Sequence, residues 1–264
     1  MEILAYACAL AIGLIMGLSG AGGAILTVPV LVYLTGIEPV TATAYSLFIV
    51  GMTSIFGTVQ NLRKGTVMLR TGLLYAIPSV TGVLIARRLV LPALPETIFT
   101  TSTFTLTKGS LLMIIFSMLM LIAALSLLRT QKQHGPIADR NKVWLALQIF
   151  LAGLVVGLVG AGGGFLFVPM LIFVARMPMK NAAATSLMII ALNSMVGFAG
   201  SGLIKDCVWP FLLIFSTIAI GGILAGIKLG HRVNDRSLKR GFGWFVLVMS
   251  LVIFTTEVLL PIIS

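Results

Sequence analysis

The chain has 264 residues, of which 59% are hydrophobic and only 9% are charged. A soluble domain of this length carries roughly a quarter charged residues, so this composition excludes a soluble fold. The net charge of +11 does not indicate nucleic acid as a partner, because the basic residues lie between apolar runs, where they anchor helices. The runs are continuous rather than alternating. They therefore predict a polytopic, all-α membrane protein surrounded by lipid, not a barrel.

A glycine-rich motif occurs twice in the chain. It reads GLSGAGGAILTVPVL from Gly17 to Leu31 and GLVGAGGGFLFVPML from Gly157 to Leu171. Alignment of residues 13–57 with residues 153–197, without a gap, gives 19 identities in 45 positions. Such similarity at a fixed offset indicates an internal repeat. We predict a first repeat over 1–128, a basic cytoplasmic linker over 129–142 and a second repeat over 143–264.

Each predicted repeat contains the same series of apolar segments. The first repeat has segments at about 3–18, 24–35, 41–62, 71–86 and 110–128. The second has segments at about 143–159, 165–175, 181–199, 208–227 and 242–261. The first two segments of each repeat are shorter than the roughly 20 residues that a spanning helix needs. A glycine-broken pair of short helices that returns the chain to its starting side, followed by three transmembrane helices, fits this pattern. One long, broken helix that crosses once is the alternative.

The distribution of positive charge favours the returning pair. If the pair makes no net crossing, 14 of the 18 lysines and arginines share one side, and only Arg87, Arg88, Lys108 and Lys205 lie on the other. If the pair crosses once, the split is 10 against 8. Because cytoplasmic loops carry the excess of lysine and arginine, the first arrangement is preferred. It predicts two inverted repeats with both termini on the periplasmic side.

The glycine breaks are the first candidate substrate-binding elements. An unwound stretch at membrane depth must be buried or line a cavity, and inverted-repeat transporters place such breaks where helix N-termini face an anionic substrate. Glycine also lets an anion approach the backbone N–H groups. The candidates are Gly20, Ala21, Gly22, Gly23, Gly160, Ala161, Gly162 and Gly163. Close helix packing is the competing explanation, above all for the GxxxG pairs that begin at Gly13 and Gly153.

Small polar side chains of the third segments are the second set of candidates. They are Ser46, Ser54, Thr185, Ser186, Asn193 and Ser194. Serine and threonine can instead bond to their own helix, and Asn193 can join two helices without touching a substrate. Thr41 and Asn181, at the starts of these segments, are candidate helix caps.

Several classes of function lack the residues that they require. No His, Lys, Arg, Asp or Glu lies in the middle of a predicted segment, so the chain has no clear proton relay. No nucleophile–base pair or paired carboxylates indicate an enzyme. Neither glycine break continues into Lys-Ser or Lys-Thr, so no nucleotide is expected. Cys8 and Cys207 have no metal-ligand spacing, and no cofactor or metal is predicted.

The twin GxxGAGGxxLxVPxL motifs, the ATSL at Ala184–Leu187 and the basic mid-chain linker resemble the sulfite exporter TauE/SafE family of membrane permeases. The resemblance covers most of the chain and implies transport of a small sulfur-containing anion, such as sulfite or sulfoacetate, across a bacterial inner membrane. It also implies that the paired motifs converge on one central site, exposed to the two sides in turn. Tyr45 stands where the second repeat has Thr185, which makes the two halves of that site unequal.

Two other functions remain open from the sequence: a membrane scaffold subunit without transport of its own, and an anion channel. The direction of transport, the coupling ion and the formation of a homo-oligomer are likewise open.

Overall fold

The computed structural model describes residues 2–19, 22–100, 105–128, 142–173, 175–229 and 235–259. Within these ranges, five helices are long and apolar enough to cross a membrane. Almost all of the described chain is helical, which confirms the all-α polytopic membrane fold. The linker 129–142 lies outside the described residues except at its last position, so the boundary between the repeats stays a prediction.

The first half of the chain contains six helices and a small hairpin. The helices are α1 (Glu2–Ser19), α2 (Thr27–Pro29), α3 (Pro39–Arg63), α4 (Leu69–Ile85), α5 (Leu91–Ala93) and α6 (Lys108–Leu128). A 3-10 turn (Gly22–Leu26) and a π-helical turn (Val30–Leu34) flank α2, which together form the second short helix that the sequence predicts. The antiparallel strands β1 (Thr97–Thr100) and β2 (Thr105–Thr107), which the sequence did not predict, precede α6.

The second half repeats this order with fewer irregularities. Its helices are α7 (Lys142–Val159), α8 (Gly164–Phe173), α9 (Met179–Gly200), α10 (Trp209–Leu229) and α11 (Asp235–Phe254), and a 3-10 turn (Leu203–Asp206) precedes α10. α11 continues as a π-helical turn, Thr255–Leu259. The apolar parts of α1 and α7 and the helix that follows Gly23 are too short to be counted among the crossing helices, as predicted. The described apolar part of α11, Val246–Glu257, is also too short, so the third crossing helix of the second repeat stays a prediction.

The third helices of the two halves, α3 and α9, form the centre of the bundle. Their most apolar windows are 72% buried, against 39% to 44% for the other three spanning helices. The contacts of Gly57 with Leu187 and of Gly197 with Leu47 show that α3 and α9 run antiparallel. Opposite directions of equivalent helices are what an inverted repeat requires.

Each short helix pair packs against a helix of the other half. A Cβ atom at Gly17 of α1 would lie 2.9 Å from the Cα of Gly226 in α10. A Cβ atom at Gly157 of α7 would lie 2.9 Å from the Cα of Val83 in α4. Because backbones this close leave no room for a side chain, the GxxxG pairs serve helix packing. The two halves are thereby interlocked.

The end of α4 corrects one sequence-based boundary. The fourth segment was expected to end at residue 86, with Arg87 and Arg88 in a loop. The helix instead continues as a π-helical turn, Ala86–Val90, and then as α5 to Ala93. The guanidinium of Arg87 is carried inside the bundle, and this side chain is only 1% exposed. An ionisable residue is thus buried near the end of a spanning helix, where the sequence predicted a loop.

Candidate functional site

The second glycine break separates α7 from α8 by a sharp turn. Gly160, Gly162 and Gly163 have φ angles of +75°, +66° and +78°, which glycine adopts at no steric cost. The N–H of Gly160 donates to the carbonyl of Val156 over 2.9 Å and closes α7. The N–H groups of Leu166 and Phe167 donate to the carbonyl of Gly163, so the amides before them precede the first hydrogen bond of α8. The positive end of the α8 dipole therefore lies at the break.

This break faces the central pair of helices. A Cβ atom at Gly160 would lie 2.7 Å from the Cβ of Thr43, close to the start of α3. A Cβ atom at Gly162 would lie 2.5 Å from Val50 Cγ1, 3.1 Å from Ile190 Cγ2 and 3.3 Å from Ser194 Oγ. The break thus passes from the first turns of α3 to the middle of α3 and α9. Ser194, a predicted site residue, lies directly against it.

The first break is described only in part. Gly20 and Ala21 lie outside the described residues, and Gly22 begins the 3-10 turn. A Cβ atom at Gly23 would lie 2.8 Å from Met16 Cγ and the N atom of Met16, so this glycine lets the turn fold back onto α1. Close packing accounts for Gly23. A role of Gly22 in binding stays a prediction.

Three of the predicted hydroxyl groups are buried without a partner in the described part of the protein. The side chains of Ser46, Ser54 and Ser194 are fully buried, and their Oγ atoms make no hydrogen bond there. A buried hydroxyl without a partner costs roughly 1–3 kcal/mol, so such groups call for an explanation. All three belong to α3 and α9, on which the second glycine break is packed.

The other predicted polar residues are held by the protein itself. The Oγ of Ser186 donates to the carbonyl of Ala183 over 2.8 Å, and the Oγ1 of Thr185 accepts from the N–H of Met68 over 3.0 Å. The Nδ2 of Asn193 donates to the Oγ of Ser79 over 2.6 Å, which joins α9 to α4. The Oδ1 of the same Asn193 side chain has no hydrogen-bond partner among the described residues. The contact with Ser79 shows that Asn193 joins two helices, and a role in substrate binding stays a prediction.

The two candidate helix caps, Thr41 and Asn181, have other roles in the structure. Glu38 caps α3, since its carboxylate accepts from the N–H groups of Val40 and Thr41 over 3.1 and 3.0 Å. Thr41 is thus the partner of the cap and not the cap. The Nδ2 of Asn181 donates to the carbonyl of Thr66 over 3.0 Å and holds the loop between α3 and α4.

Arg87 is the polar residue at this site that the sequence reasoning missed. Its Nη1 donates to the Oγ1 of Thr43 over 3.1 Å, and Thr43 is the residue against which Gly160 packs. The available signal was the apolar stretch LVLPAL directly after the two arginines, which shows that the fourth helix does not end there. The two adjacent arginines, Arg87 and Arg88, had indicated the end of the fourth segment.

The fold defines a polytopic membrane protein, and comparison with known proteins adds that it is a membrane transporter. The family model described as "Sulfite exporter TauE/SafE" matches residues 5–253, and the chain belongs to this family. It is 28% identical over 252 residues to a "Probable membrane transporter protein" of Xylella fastidiosa, covering 91% of this chain and 90% of the relative. It is 29% identical over 255 residues to the Bacillus subtilis "Probable membrane transporter protein YunE", covering 88% and 90%. No solved structure matches the chain at a significant level.

Proposed function

We propose that this membrane transporter carries small sulfur-containing anions, sulfite or organosulfonates such as sulfoacetate, by alternating access at a central site. The site consists of the glycine breaks and the hydroxyl groups of Ser46, Ser54 and Ser194. The description of the matching family supports the class of substrate. The geometry supports the place, because Ser194 Oγ lies 3.3 Å from a Cβ built at Gly162.

The observation that carries this proposal is the unpartnered hydroxyl of Ser194 against the break, together with those of Ser46 and Ser54 on the two central helices. A serine hydroxyl can donate to an anion oxygen, and the start of α8 adds backbone N–H groups and a positive dipole end. Hydrogen bonds to a charged group contribute about 1.5–3 kcal/mol each, net of the exchange with water, and therefore favour the bound anion. Neutral donors also hold an anion loosely enough to release it.

We further propose that the protein lies in a bacterial inner membrane with both termini in the periplasm. The excess of lysine and arginine on one predicted side supports this orientation. The antiparallel course of α3 and α9 supports the inversion of the repeats that the orientation requires.

The test is uptake of labelled sulfite into proteoliposomes that hold the purified protein, with sulfoacetate, sulfate and acetate as competitors. The informative variants are Ser54→Ala and Ser194→Ala, which remove unpartnered hydroxyl groups and little volume. Gly162→Leu is a poor probe, because Val50 leaves no space and a left-handed φ strains any side chain. Thr53→Val is the matched control, since the hydroxyl of Thr53 donates to the carbonyl of Ile49 in its own helix.

We expect sulfite flux that sulfoacetate inhibits and acetate does not. Each serine variant should lower that flux about tenfold, and the Thr53 control should retain it, because one hydrogen bond to a charged group is lost only in the serine variants. Absence of sulfite flux with and without an imposed ion gradient would contradict the proposed substrate and favour another solute or a non-transporting subunit. Electrically measured, uncoupled conductance would contradict alternating access and identify an anion channel.

A further inference from the structure

The guanidinium of Arg87 is a buried cation that none of the sequence motifs assigns to a function. We propose that Arg87, together with Thr43 and the start of the second glycine break, binds the oxyanion through two parallel hydrogen bonds. The proposal rests on the transport function above and adds the residue that recognises the charge of the substrate.

The two unpartnered nitrogen atoms of Arg87 are those that bind an oxyanion best. Its Nη1 is used, since it donates to Thr43 Oγ1 over 3.1 Å. Its Nε and Nη2 are buried and have no hydrogen-bond partner in the described part of the protein. These two nitrogens share one edge of the planar guanidinium, and their N–H groups point the same way. This edge binds two oxygen atoms on one central atom, as in a sulfonate, a sulfite or a carboxylate.

Thr43 fixes the plane of this edge. The Oγ1 of Thr43 donates to the carbonyl of Val40 over 2.7 Å, so its lone pairs are left to accept from Arg87. A Cβ built at Gly200 of α9 would lie 3.5 Å from the Cβ of Arg87, which places the stem of the arginine against the end of α9. A guanidinium held at its stem and at Nη1 has little freedom left to lose on binding.

The positive charge of Arg87 has no acidic counterpart among the described residues. No described carboxylate oxygen lies within 4.0 Å of it, whereas the Lys108–Glu96 pair at 3.7 Å does meet that limit. Glu38, at the same end of α3, caps that helix. An isolated charge enclosed in a membrane protein is costly and is retained for pairing or for a substrate path. A substrate anion is the partner that this arrangement fits.

The glycine break connects Arg87 with the central hydroxyl groups. Gly160 packs on Thr43, the residue that holds the guanidinium, and Gly162 packs beside Ser194. Two residues of unwound chain therefore join the cationic subsite to the neutral one. An anion that enters from the Glu38 end of α3 meets the charged edge first and the hydroxyl groups next. The charge then selects and concentrates the anion, and the neutral donors pass it on.

The experiment compares Arg87→Met and Arg87→Lys with Arg88→Met as the matched control, because Arg88 is the adjacent arginine and its side chain is exposed. Thermal melting of the purified full-length proteins is measured in sulfite, sulfoacetate, sulfate, phosphate, acetate and chloride at equal ionic strength. Sulfite flux into proteoliposomes is measured against concentration for the same proteins. Arg87→Lys keeps the positive charge and lacks the fork, that is, the two parallel N–H groups of the guanidinium edge.

We expect oxyanions, more than chloride, to raise the melting temperature of the wild type and of Arg88→Met. Arg87→Met should lose that increase, and its half-saturating sulfite concentration should rise about 100-fold or more, since two charge-assisted hydrogen bonds are lost. Arg87→Lys should fall between the two. Without any oxyanion, Arg87→Met should melt no lower than the wild type, because it removes an isolated buried charge.

The opposite results would overturn the assignment. A variant at Arg87 that melts lower without oxyanion yet keeps the full oxyanion-dependent increase would show a purely structural arginine. A wild type that no oxyanion stabilises would also overturn it. Stabilisation by sulfate or phosphate that depends on Arg87, without sulfite flux, would support the arginine site while the sulfur-anion substrate fails. If Arg87→Met yields no folded protein, Arg87→Lys decides, since it must lose affinity if the fork binds the anion.

Discussion

The two halves of the chain build the same crossing of helices, but they place different side chains at it. Gly13 of α1 packs on Ala219 of α10, and Gly153 of α7 packs on Ser79 of α4, at positions related by the 140-residue offset of the repeat. About two turns further on, the π-helical turn that continues α4 carries Arg87 where α10 carries Ile227. The backbone scaffold is duplicated, whereas the charge is present once.

Further polar contacts follow the same asymmetry. Thr43, which accepts from Arg87, has Ala183 as its equivalent, and Ser79, which accepts from Asn193, has Ala219. The helix also differs, because Ala86–Val90 is π-helical, whereas the described equivalent residues 226–229 belong to the regular α-helix α10. Local π turns are frequent at functional sites, where they re-aim a side chain. The two halves therefore share a backbone crossing and differ in the polar side chains that lie near it.

The largest effect should come from testing whether equivalent loops lie on opposite sides of the membrane. Lys64 follows α3 and Lys205 follows α9, and both are exposed. In a background of Cys8→Ala and Cys207→Ser, Lys64→Cys and Lys205→Cys are labelled with a membrane-impermeant maleimide in intact and in lysed bacterial cells. We expect Lys205→Cys to react in intact cells and Lys64→Cys to react only after lysis. Reaction of both under the same condition would refute the inversion of the repeats.

The next largest effect, on stability, should come from disturbing the close helix crossing that both halves contain. A Cβ at Gly13 would lie 2.8 Å from the carbonyl carbon of Ala219, and one at Gly153 would lie 2.7 Å from the Cα of Ser79. Because the helices must separate to admit a side chain, Gly13→Val and Gly153→Val should each lower the free energy of unfolding by more than about 3 kcal/mol. Size-exclusion profiles and thermal melting measure the loss. A Cβ at Gly221 meets nothing within 4 Å, so Gly221→Val should stay close to the wild type.

Unequal losses of unfolding free energy in Gly13→Val and Gly153→Val would show that the two helix crossings contribute unequally to stability. Tolerance of valine at either position would contradict the close backbone contact itself.

Most of the fold could be predicted because its signals are local. Apolar runs, the identities between the two halves and the GAGG breaks specify helices, repeats and short pairs. The strands at Thr97–Thr100 and Thr105–Thr107 were missed because one weak hairpin lies between strong helical signals. The end of the fourth helix was missed because two adjacent arginines normally mark the membrane boundary. In this protein the bundle encloses the first of them.

The site was predicted less completely, because residue type does not determine which atoms find partners. Ser46 and Ser186 are equivalent in sequence, yet the first has no partner for its hydroxyl among the described residues, and the second donates to its own helix. The difference arises from rotamers and neighbours that only the packed bundle fixes. Arg87 became a candidate through burial, and its contact with Thr43 joins residues 44 positions apart.

The smallest effect should come from one pair of equivalent positions at which the two repeats carry unlike side chains. Tyr45 and Thr185 occupy equivalent positions, and the sequence suggested that they make the two halves of the substrate pocket unequal. The hydroxyl of Tyr45 accepts from the N–H of Val208 over 2.9 Å, and the hydroxyl of Thr185 accepts from the N–H of Met68 over 3.0 Å. Both groups therefore bind an N–H directly before a spanning helix of the other half, α10 or α4. Unlike side chains perform one structural role.

Tyr45→Phe and Thr185→Val remove each hydroxyl with little change in volume. Loss of a side chain that satisfies an N–H at the start of a helix costs about 0.5–2 kcal/mol, so both variants should melt slightly lower and by similar amounts. We expect their half-saturating sulfite concentrations to change less than about twofold, because the contact that each hydroxyl makes is with a backbone N–H at the start of a helix. A large affinity change in Thr185→Val without one in Tyr45→Phe would return Thr185 to the substrate site and make the pocket unequal, as its sequence first indicated.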